Sequence, residues 1–434
     1  MAYPPATMRI IPDTVIEKTF RLDLWPIAEK GTAFQKPVRK GIEIFEPFSA
    51  DSLPPTDFIL KSKFAFARSR WIEGDGYAGF NMYPANLPAQ IVIGWCGQAD
   101  SCGFAFLKLA PKLAELSGVP VSEIYSMTQR SLDHLATSPV DADGFSVLYD
   151  TGSKAWDSDS RDDVSMGQGM FNIAKAVEVG RTIPEIDTAK WETFLKNASR
   201  SDADRILADG WRPRSTAEGF SIAPLILASR LFEEDAENSA RFKAAAVKAS
   251  EHYAARHLSM EEPYWGGTLD ASCEDKEGAW AAFQGFLTMF EVTGETRYLK
   301  WARHAGEVCL SYLVVWDIPL PPGRLSDHDF KTRGWTVVSP QNQHLDVYGV
   351  LFAPEVKRLG ALTGIEAYER AADVMFRSCG QLIDPFGSQG EQIQQTNFAQ
   401  RGDMTDVLKL RGGYSESWTV FWITAHFLNA AARF

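Results

Sequence analysis

Apolar residues recur at three- and four-residue spacing along most of the chain after about residue 90, which predicts a mainly α-helical protein. Six of the predicted helices are apolar on nearly every side, and a helix of that kind is buried. They span about 98–116, 164–181, 216–233, 275–293, 341–362 and 414–432. Amphipathic helices with one polar face lie between them. The pattern therefore predicts an inner and an outer layer of helices.

The connections between these helices are of two kinds. Short turns such as SGVP, TIPE, VTGE and LTGI follow the buried helices, whereas long loops precede them. The buried helices start roughly every 50 to 75 residues, which is the period of a helical hairpin plus one long loop. This repeat predicts an (α/α)6 toroid in which the long loops and the inner-helix N-termini meet at one face and form a funnel. Gly-Trp pairs at Gly94, Gly210 and Gly334 each stand before a buried helix.

The first 88 residues differ from the rest of the chain in composition and hydrophobic pattern. They are rich in proline and aromatic residues, and KSKFAFARSRWI and GYAGFNMYP read as short strands around a turn at 73–76. The sequence thus predicts a β-containing N-terminal segment or lid over 1–88 and a toroid catalytic domain over 89–434.

Composition, charge and sequence motifs disfavour several classes of function. The chain is 45% hydrophobic and 23% charged, without an apolar run of membrane-spanning length or a secretory leader, so a cytoplasmic protein with no membrane contact is expected. A net charge of -12 disfavours nucleic-acid binding. No GxxxxGK[ST] or GxGxxG motif follows a strand, so no cofactor is predicted. Self-association is left open.

The stretch GTLDASCEDKEGAWAAF opens one buried helix with Asp270, Glu274, Asp275 and Glu277 within eight residues. One interpretation is a capping box of Ser272 and Asp275. A capping box needs only one carboxylate, however, and the helix dipole keeps first-turn carboxylates ionised. Asp275 or Glu277 is therefore predicted to act as a general base or nucleophile.

A second carboxylate must come from another loop. Glu218 is the predicted partner, although it could equally cap its helix together with Ser215. Other acids at the funnel are Asp157, Asp162, Asp163 and Glu416. His344, in SPQNQHLD, reads either as a structural histidine or as a proton-abstracting base with Asn342 and Tyr414 nearby.

Arginines and tryptophans at the predicted funnel suggest substrate contacts. Arg212 and Arg333 could bind a sugar carboxylate bidentately, or simply balance an acidic protein. Trp211 and Trp335 could form a platform for a sugar ring, or pack in a large core. No metal site is predicted, because the five cysteines lack a zinc-ribbon spacing. A Cys/His zinc site stays a minor alternative, built from Cys96, Cys102, Cys273 and His344.

With GWRPRSTAEGF, CEDKEGAW and QNQHLDVYG at the inner-helix mouths, the chain over about 90–434 resembles six-hairpin (α/α) toroid enzymes that act on carbohydrates. These include unsaturated glucuronyl hydrolases, family 154 type β-glucuronidases and toroid polysaccharide lyases. The resemblance implies a glycoside hydrolase that removes a terminal, uronic-acid-type sugar from an oligosaccharide. The alternatives are a lyase using histidine or tyrosine, a sugar epimerase of the same architecture, or a non-catalytic binder.

Overall fold

The structure, a computed structural model, describes residues 10–27, 32–45, 48–83, 87–94, 104–213, 216–259, 276–320, 324–337, 345–387, 389, 392–393 and 421–434. Its helices are α1 (Pro37–Ile44), α2 (Thr56–Ser69), α3 (Phe106–Ser117), α4 (Val121–Leu135), α5 (Asp163–Gly180), α6 (Ala189–Leu207), α7 (Ile222–Leu231), α8 (Ala236–Ser259), α9 (Lys276–Thr293), α10 (Thr296–Leu310), α11 (Arg324–Asp327), α12 (Gly349–Thr363), α13 (Glu366–Cys379) and α14 (Phe421–Arg433). A 3-10 turn at Thr216–Ser221 leads into α7. None of the described helices is long and apolar enough to cross a membrane.

In the described part of the chain, six helices pack side by side in a ring. Their order is α3, α5, α7, α9, α12 and α14, and α14 returns to α3. Five outer helices, α4, α6, α8, α10 and α13, each pack against the inner helix that precedes them. Because each inner helix is followed by a short turn and an outer helix, all inner N-termini lie on one side. The predicted (α/α)6 toroid is confirmed.

Helix α2 occupies the sixth outer position, where it packs against α14. The strand predicted over 61–72 is therefore wrong for residues 61–69, which are helical. The alternation of Phe64 and Phe66 with alanines misled the prediction, whereas Ile59, Lys63 and Ala67 are buried with Phe64 at helical spacing.

Short antiparallel strands lie in the connections. They are β1 (Trp71–Gly74), β2 (Tyr77–Phe80), β3 (Gln90–Val92), β4 (Val140–Asp141), β5 (Gly144–Phe145), β6 (Leu148–Asp150), β7 (Ala155–Trp156), β8 (Thr336–Val337), β9 (Leu345–Asp346) and β10 (Gln392–Ile393). β1 and β2 form a hairpin around the predicted turn, and β9 pairs with both β8 and β10. The inner helix predicted from residue 341 therefore begins later, at Gly349, because β9 occupies Leu345–Asp346.

Two glycine patterns in the sequence have a structural cause. The glycines of the Gly-Trp pairs, Gly94, Gly210 and Gly334, all have a positive φ of 76°, 76° and 87°. A Cβ at Gly334 would also lie 2.8 Å from the carbonyl oxygen of Val374. In the run SMGQGM, a Cβ at Gly167 would lie 2.6 Å from Cβ of Phe220, so α5 packs closely against the 3-10 turn at this glycine.

A fully buried lysine lies where α2 meets α14. Lys63 Nζ donates to the carbonyl oxygen of Gly387 at 3.3 Å and lies 4.8 Å from the ring centroid of Phe427. Burial lowers the pKa of Lys63 to about 7, although the charge of Asp384 opposes the shift. The folded protein therefore carries a buried amine that binds its proton less tightly than an unfolded chain does.

Replacing Lys63 by methionine should stabilise the fold at pH 7. Between pH 7 and about 10.5 the unfolded wild-type chain binds the proton and the folded one releases it, so wild-type stability rises with pH across this window. We expect Lys63→Met to raise the free energy of unfolding by roughly 1 to 3 kcal/mol at pH 7, with a smaller gain at higher pH. Urea denaturation at pH 7 and at about pH 9.5 measures both values.

Lys61→Met is the matched control, because Lys61 is exposed on the same helix. It should leave the pH dependence of the wild type intact. An identical pH dependence in Lys63→Met and wild type would contradict the assignment of that dependence to Lys63.

Candidate functional site

Two of the predicted carboxylates lie on adjoining elements at the N-terminal side of the ring. Glu277, in the first turn of α9, is 3% exposed, and Glu218, in the 3-10 turn before α7, is 9% exposed. This turn packs directly against α9, with the rings of Phe220 and Trp280 edge to face at 5.0 Å. The elements that carry these two carboxylates, 59 positions apart in sequence (277 minus 218), therefore lie side by side.

A buried ion pair fixes the first turn of α9. Lys276 and Asp346 are both fully buried and form a salt bridge. Lys276 Nζ also donates to the carbonyl oxygen of Val337 at 3.0 Å and lies 4.6 Å from the ring centroid of Tyr348. Asp346 accepts further hydrogen bonds from Thr336 Oγ1 at 2.7 Å and from the backbone N–H of Tyr348 at 3.1 Å. These buried contacts therefore hold the backbone of the first helical turn in place next to Glu277.

A series of aromatic contacts starts at Trp280 and connects the inner helices of the toroid. Trp280 lies 6.2 Å from His426, His426 lies 5.4 Å from Trp422, and Trp422 lies 5.3 Å from Tyr348, all between ring centroids. These residues belong to α9, to α14 and to the N-terminal end of α12. Their contacts form an arc that begins at Phe220 and returns to Lys276 through Tyr348.

Polar side chains connect the inner helices one to two turns deeper. Gln168 Nε2 donates to Gln284 Oε1 at 2.8 Å, and Gln284 Nε2 donates to Glu355 Oε1 at 3.3 Å. Arg433 also binds Glu355, and Asn429 donates to Asn172, whose amide donates to the backbone of Gln168. This polar belt runs from α14 through α5, α9 and α12 and back to α14, so hydrogen bonds bridge the centre of the toroid.

A positive charge stands near Glu218. Arg205, on α6, binds Asp163 at 2.9 Å and Asp202 at 2.6 Å. Burial alone would lower the pKa of the Arg205 guanidinium, but the charges of Asp202, Asp163 and Glu218 outweigh it and raise that pKa. Arg205 therefore remains charged and provides a favourable electrostatic neighbour for the Glu218 carboxylate.

Arg333 and Trp335 are occupied by contacts within the protein. The Arg333 guanidinium forms a salt bridge with Asp317 and donates to the carbonyl oxygens of Ser49 and Asp51. Trp335 is 1% exposed, and its indole N–H donates to the carbonyl oxygen of Ser378 at 3.1 Å. Both residues therefore connect the loop before α12 to its surroundings, and their predicted contacts with substrate stay predictions.

Trp211 and Arg212 follow α6. The half-buried ring of Trp211 lies edge to face with His252 of the outer helix α8 at 5.3 Å, and Lys248 Nζ lies 5.8 Å from its centroid. Trp211 thus packs against the outer layer. The side chain of Arg212 is exposed. Asp275, His344, Asn342 and Tyr414 lie outside the described residues.

Sequence reasoning missed the Lys276–Asp346 pair. A sequence signal was present. The helix dipole disfavours the positive charge of a lysine in the first turn, so a carboxylate is expected nearby. His426 and Trp422 were missed because they lie in a helix that reads simply as buried. Within the described ranges, no group of three or more His, Cys, Asp or Glu side chains could hold a metal ion. Cys309 and Cys379 are both buried.

No protein-family model matches the chain, and no curated protein matches it in sequence. Solved structures do match. A D-mannose isomerase aligns with a TM-score of 0.55 at 12% identity, covering 88% of this chain and 100% of that one. The chain shares its fold with (α/α)6 toroid proteins. A family 76 glycoside hydrolase (mannosidase) from Bacteroides thetaiotaomicron gives 0.53 at 11% identity, over 87% and 97% of the two chains. An unsaturated glucuronyl hydrolase from Streptococcus agalactiae gives 0.53 at 11% identity, over 95% and 98%.

Proposed function

We propose that this toroid is a carbohydrate-active enzyme, a glycoside hydrolase that removes a terminal, uronic-acid-type sugar from an oligosaccharide. The observation that carries the proposal is the placement of Glu277 and Glu218 on adjoining elements at the N-terminal side of the ring. Hydrolysis of a glycosidic bond commonly uses two such carboxyl groups. Similarity in fold to two glycoside hydrolases supports the same reaction class.

The charge of Arg205 favours the ionised form of Glu218, as the helix dipole favours that of Glu277, so the roles are assigned from the longer helix that follows Glu277. Glu277 lies at the N-terminus of a long helix, whose dipole favours a negative charge, so it is the base or nucleophile. Glu218 is the acid that delivers a proton to the glycosidic oxygen as the bond to the sugar carbon breaks. Water supplies the hydroxyl group to that carbon and returns a proton to the protein, so one water is consumed for each bond cleaved. Asp275 remains a second candidate for the base.

The substrate class follows from the neighbouring groups. The rings of Trp280, Trp422 and Tyr348 are buried and form the aromatic arc that begins at the elements carrying the two carboxylates. Arg212 is the exposed guanidinium after α6 and is suited to a sugar carboxylate. The unsaturated glucuronyl hydrolase shares the fold and, by its name, acts on a uronic acid derivative. Together these features favour an acidic over a neutral terminal sugar.

The test is a panel of uronic-acid-containing and neutral oligosaccharides, followed by mass spectrometry and ultraviolet absorbance. Hydrolysis adds one water to the products and creates no new double bond. Elimination leaves the summed mass unchanged and creates an absorbing unsaturated uronate. The second result would overturn the hydrolase proposal in favour of a lyase. Conversion between sugars of equal mass, without cleavage, would instead identify an isomerase or epimerase.

A further inference from the structure

Residues 10–27 form a segment without helix or strand, here called the N-terminal arm. Eight of the fifteen large apolar side chains exposed in the described part of the chain lie in this arm. The most exposed are Phe20 at 86%, Leu22 at 83% and Leu24 at 86%. Soluble proteins rarely expose apolar residues in such a cluster unless the surface binds something.

The arm presents its apolar side outward. Phe20, Leu22 and Leu24, called the ridge, alternate with Arg21 and Asp23, which is the period of a strand with one apolar face. Asp23 and Trp25 are half-buried, and the Trp25 ring lies 5.9 Å from Lys36 Nζ, just before α1. The charge of Arg21 contributes to the lowered pKa of Glu43 on α1, after the larger effect of Lys40. The polar side of the arm therefore faces α1, while the ridge faces solvent.

The backbone of the arm is also available for pairing. Among the described residues, its one backbone–backbone hydrogen bond joins the N–H of Thr14 to the carbonyl oxygen of Ile11. A strand-like segment with open N–H and C=O groups and an apolar face is a template for pairing with another strand.

We propose that the arm joins two copies of this chain as an antiparallel pair centred on Leu22. In that register Arg21, which binds Asp23 of its own chain at 2.9 Å, also lies opposite Asp23 of the second copy, and Phe20 lies opposite Leu24 of the second copy. A register centred on Arg21 or on Asp23 would instead place like charges directly opposite each other, which is unfavourable. The sequence is thus complementary to itself about one residue, as a twofold interface requires.

Pro26 fits the same register. If Leu22 faces Leu22 of the second copy as a pair without backbone hydrogen bonds, every even-numbered residue of the arm has that position. Pro26 then loses no hydrogen bond, because its nitrogen points away from the second strand. Side chains are also closest in such pairs, which suits Phe20, Leu22 and Leu24.

The oligomeric state of the full chain tests the interface. Light scattering after size-exclusion chromatography should give a dimer for the wild type and a monomer for Phe20→Ser/Leu22→Ser/Leu24→Ser. The thermal unfolding of this variant should match the dissociated wild type, because the ridge lies outside the core. A wild type that stays monomeric at micromolar concentrations, or a triple variant that stays dimeric, would overturn the proposal.

Cysteine cross-linking tests the register. Under mild oxidation Leu22→Cys should form a disulfide-linked dimer, because two copies of residue 22 meet on the axis within disulfide distance. Ile16→Cys is the matched control, being exposed on the same arm but far from the axis. Arg21→Asp should weaken dimerisation about tenfold, and Arg21→Asp/Asp23→Arg should restore it. Equal cross-linking of both cysteine variants, or no restoration by the charge swap, would rule out this register.

Discussion

Glu277→Gln should lower kcat on a cleaved oligosaccharide by about 100- to 10,000-fold, with a much smaller change in KM. Glutamine keeps the shape of the side chain but can neither accept a proton nor attack the sugar. Because Glu277 is buried beside the fixed Lys276–Asp346 pair, the replacement should leave the surrounding packing intact. Steady-state kinetics on purified protein gives kcat and KM separately.

Glu291→Gln is the control for this experiment, since Glu291 is exposed near the other end of α9 and binds Arg358. It should keep wild-type kcat. Glu218→Gln provides the complementary test: its loss of activity should shrink on an aryl glycoside with a good leaving group, which needs no proton, whereas Glu277→Gln should stay inactive on it. Full activity of Glu277→Gln would exclude Glu277 as base or nucleophile and leave Asp275 as the candidate.

Lys276→Met should destabilise the fold by about 3 to 5 kcal/mol, because it leaves the fully buried Asp346 carboxylate without its counter-ion. Thr336 and the backbone N–H of Tyr348 would still donate to Asp346 but would not neutralise it. Urea denaturation followed by circular dichroism measures the free energy of unfolding.

The double variant Lys276→Met/Asp346→Leu separates an unpaired charge from lost packing. Removing both charges should recover much of the stability lost in Lys276→Met, since no buried ion then lacks a partner. A loss in Lys276→Met no larger than the roughly 0.5 kcal/mol typical of a surface substitution would mean that the pair does not hold α9 in place.

Much of the toroid could be predicted because helical periodicity is a local property. Inner helices such as α5 and α9 are apolar on every side, and glycines end the hairpin turns, as at Gly118 and Gly364 with their positive φ. Helix α2 was misread because its partner, α14, lies at the other end of the sequence. Nothing local in KSKFAFARS indicates which of its faces will be covered.

The site was less predictable, because the local sequence around a residue does not show which residues of other inner helices it will contact. Glu277 and Glu218 could be selected as acids at helix starts, and the ring then brings their elements together. Trp335 and Arg333 were selected because they precede an inner helix. Only the structure shows that Trp335 is buried and that Arg333 binds Asp317. Sequence shows that a side chain is large or charged, whereas only the tertiary fold determines what it faces.

The position of α2 against α14 has a consequence for biosynthesis. The ribosome makes α2 among the first helices, yet α14 emerges only after every other helix of the ring. Until then the nascent chain is an open arc whose free edge exposes Phe80, whose ring stacks on Phe421 of α14 at 5.1 Å in the folded protein. Closure of the ring is thus a late step of folding, and a chaperone that shields this edge would raise the yield of native protein.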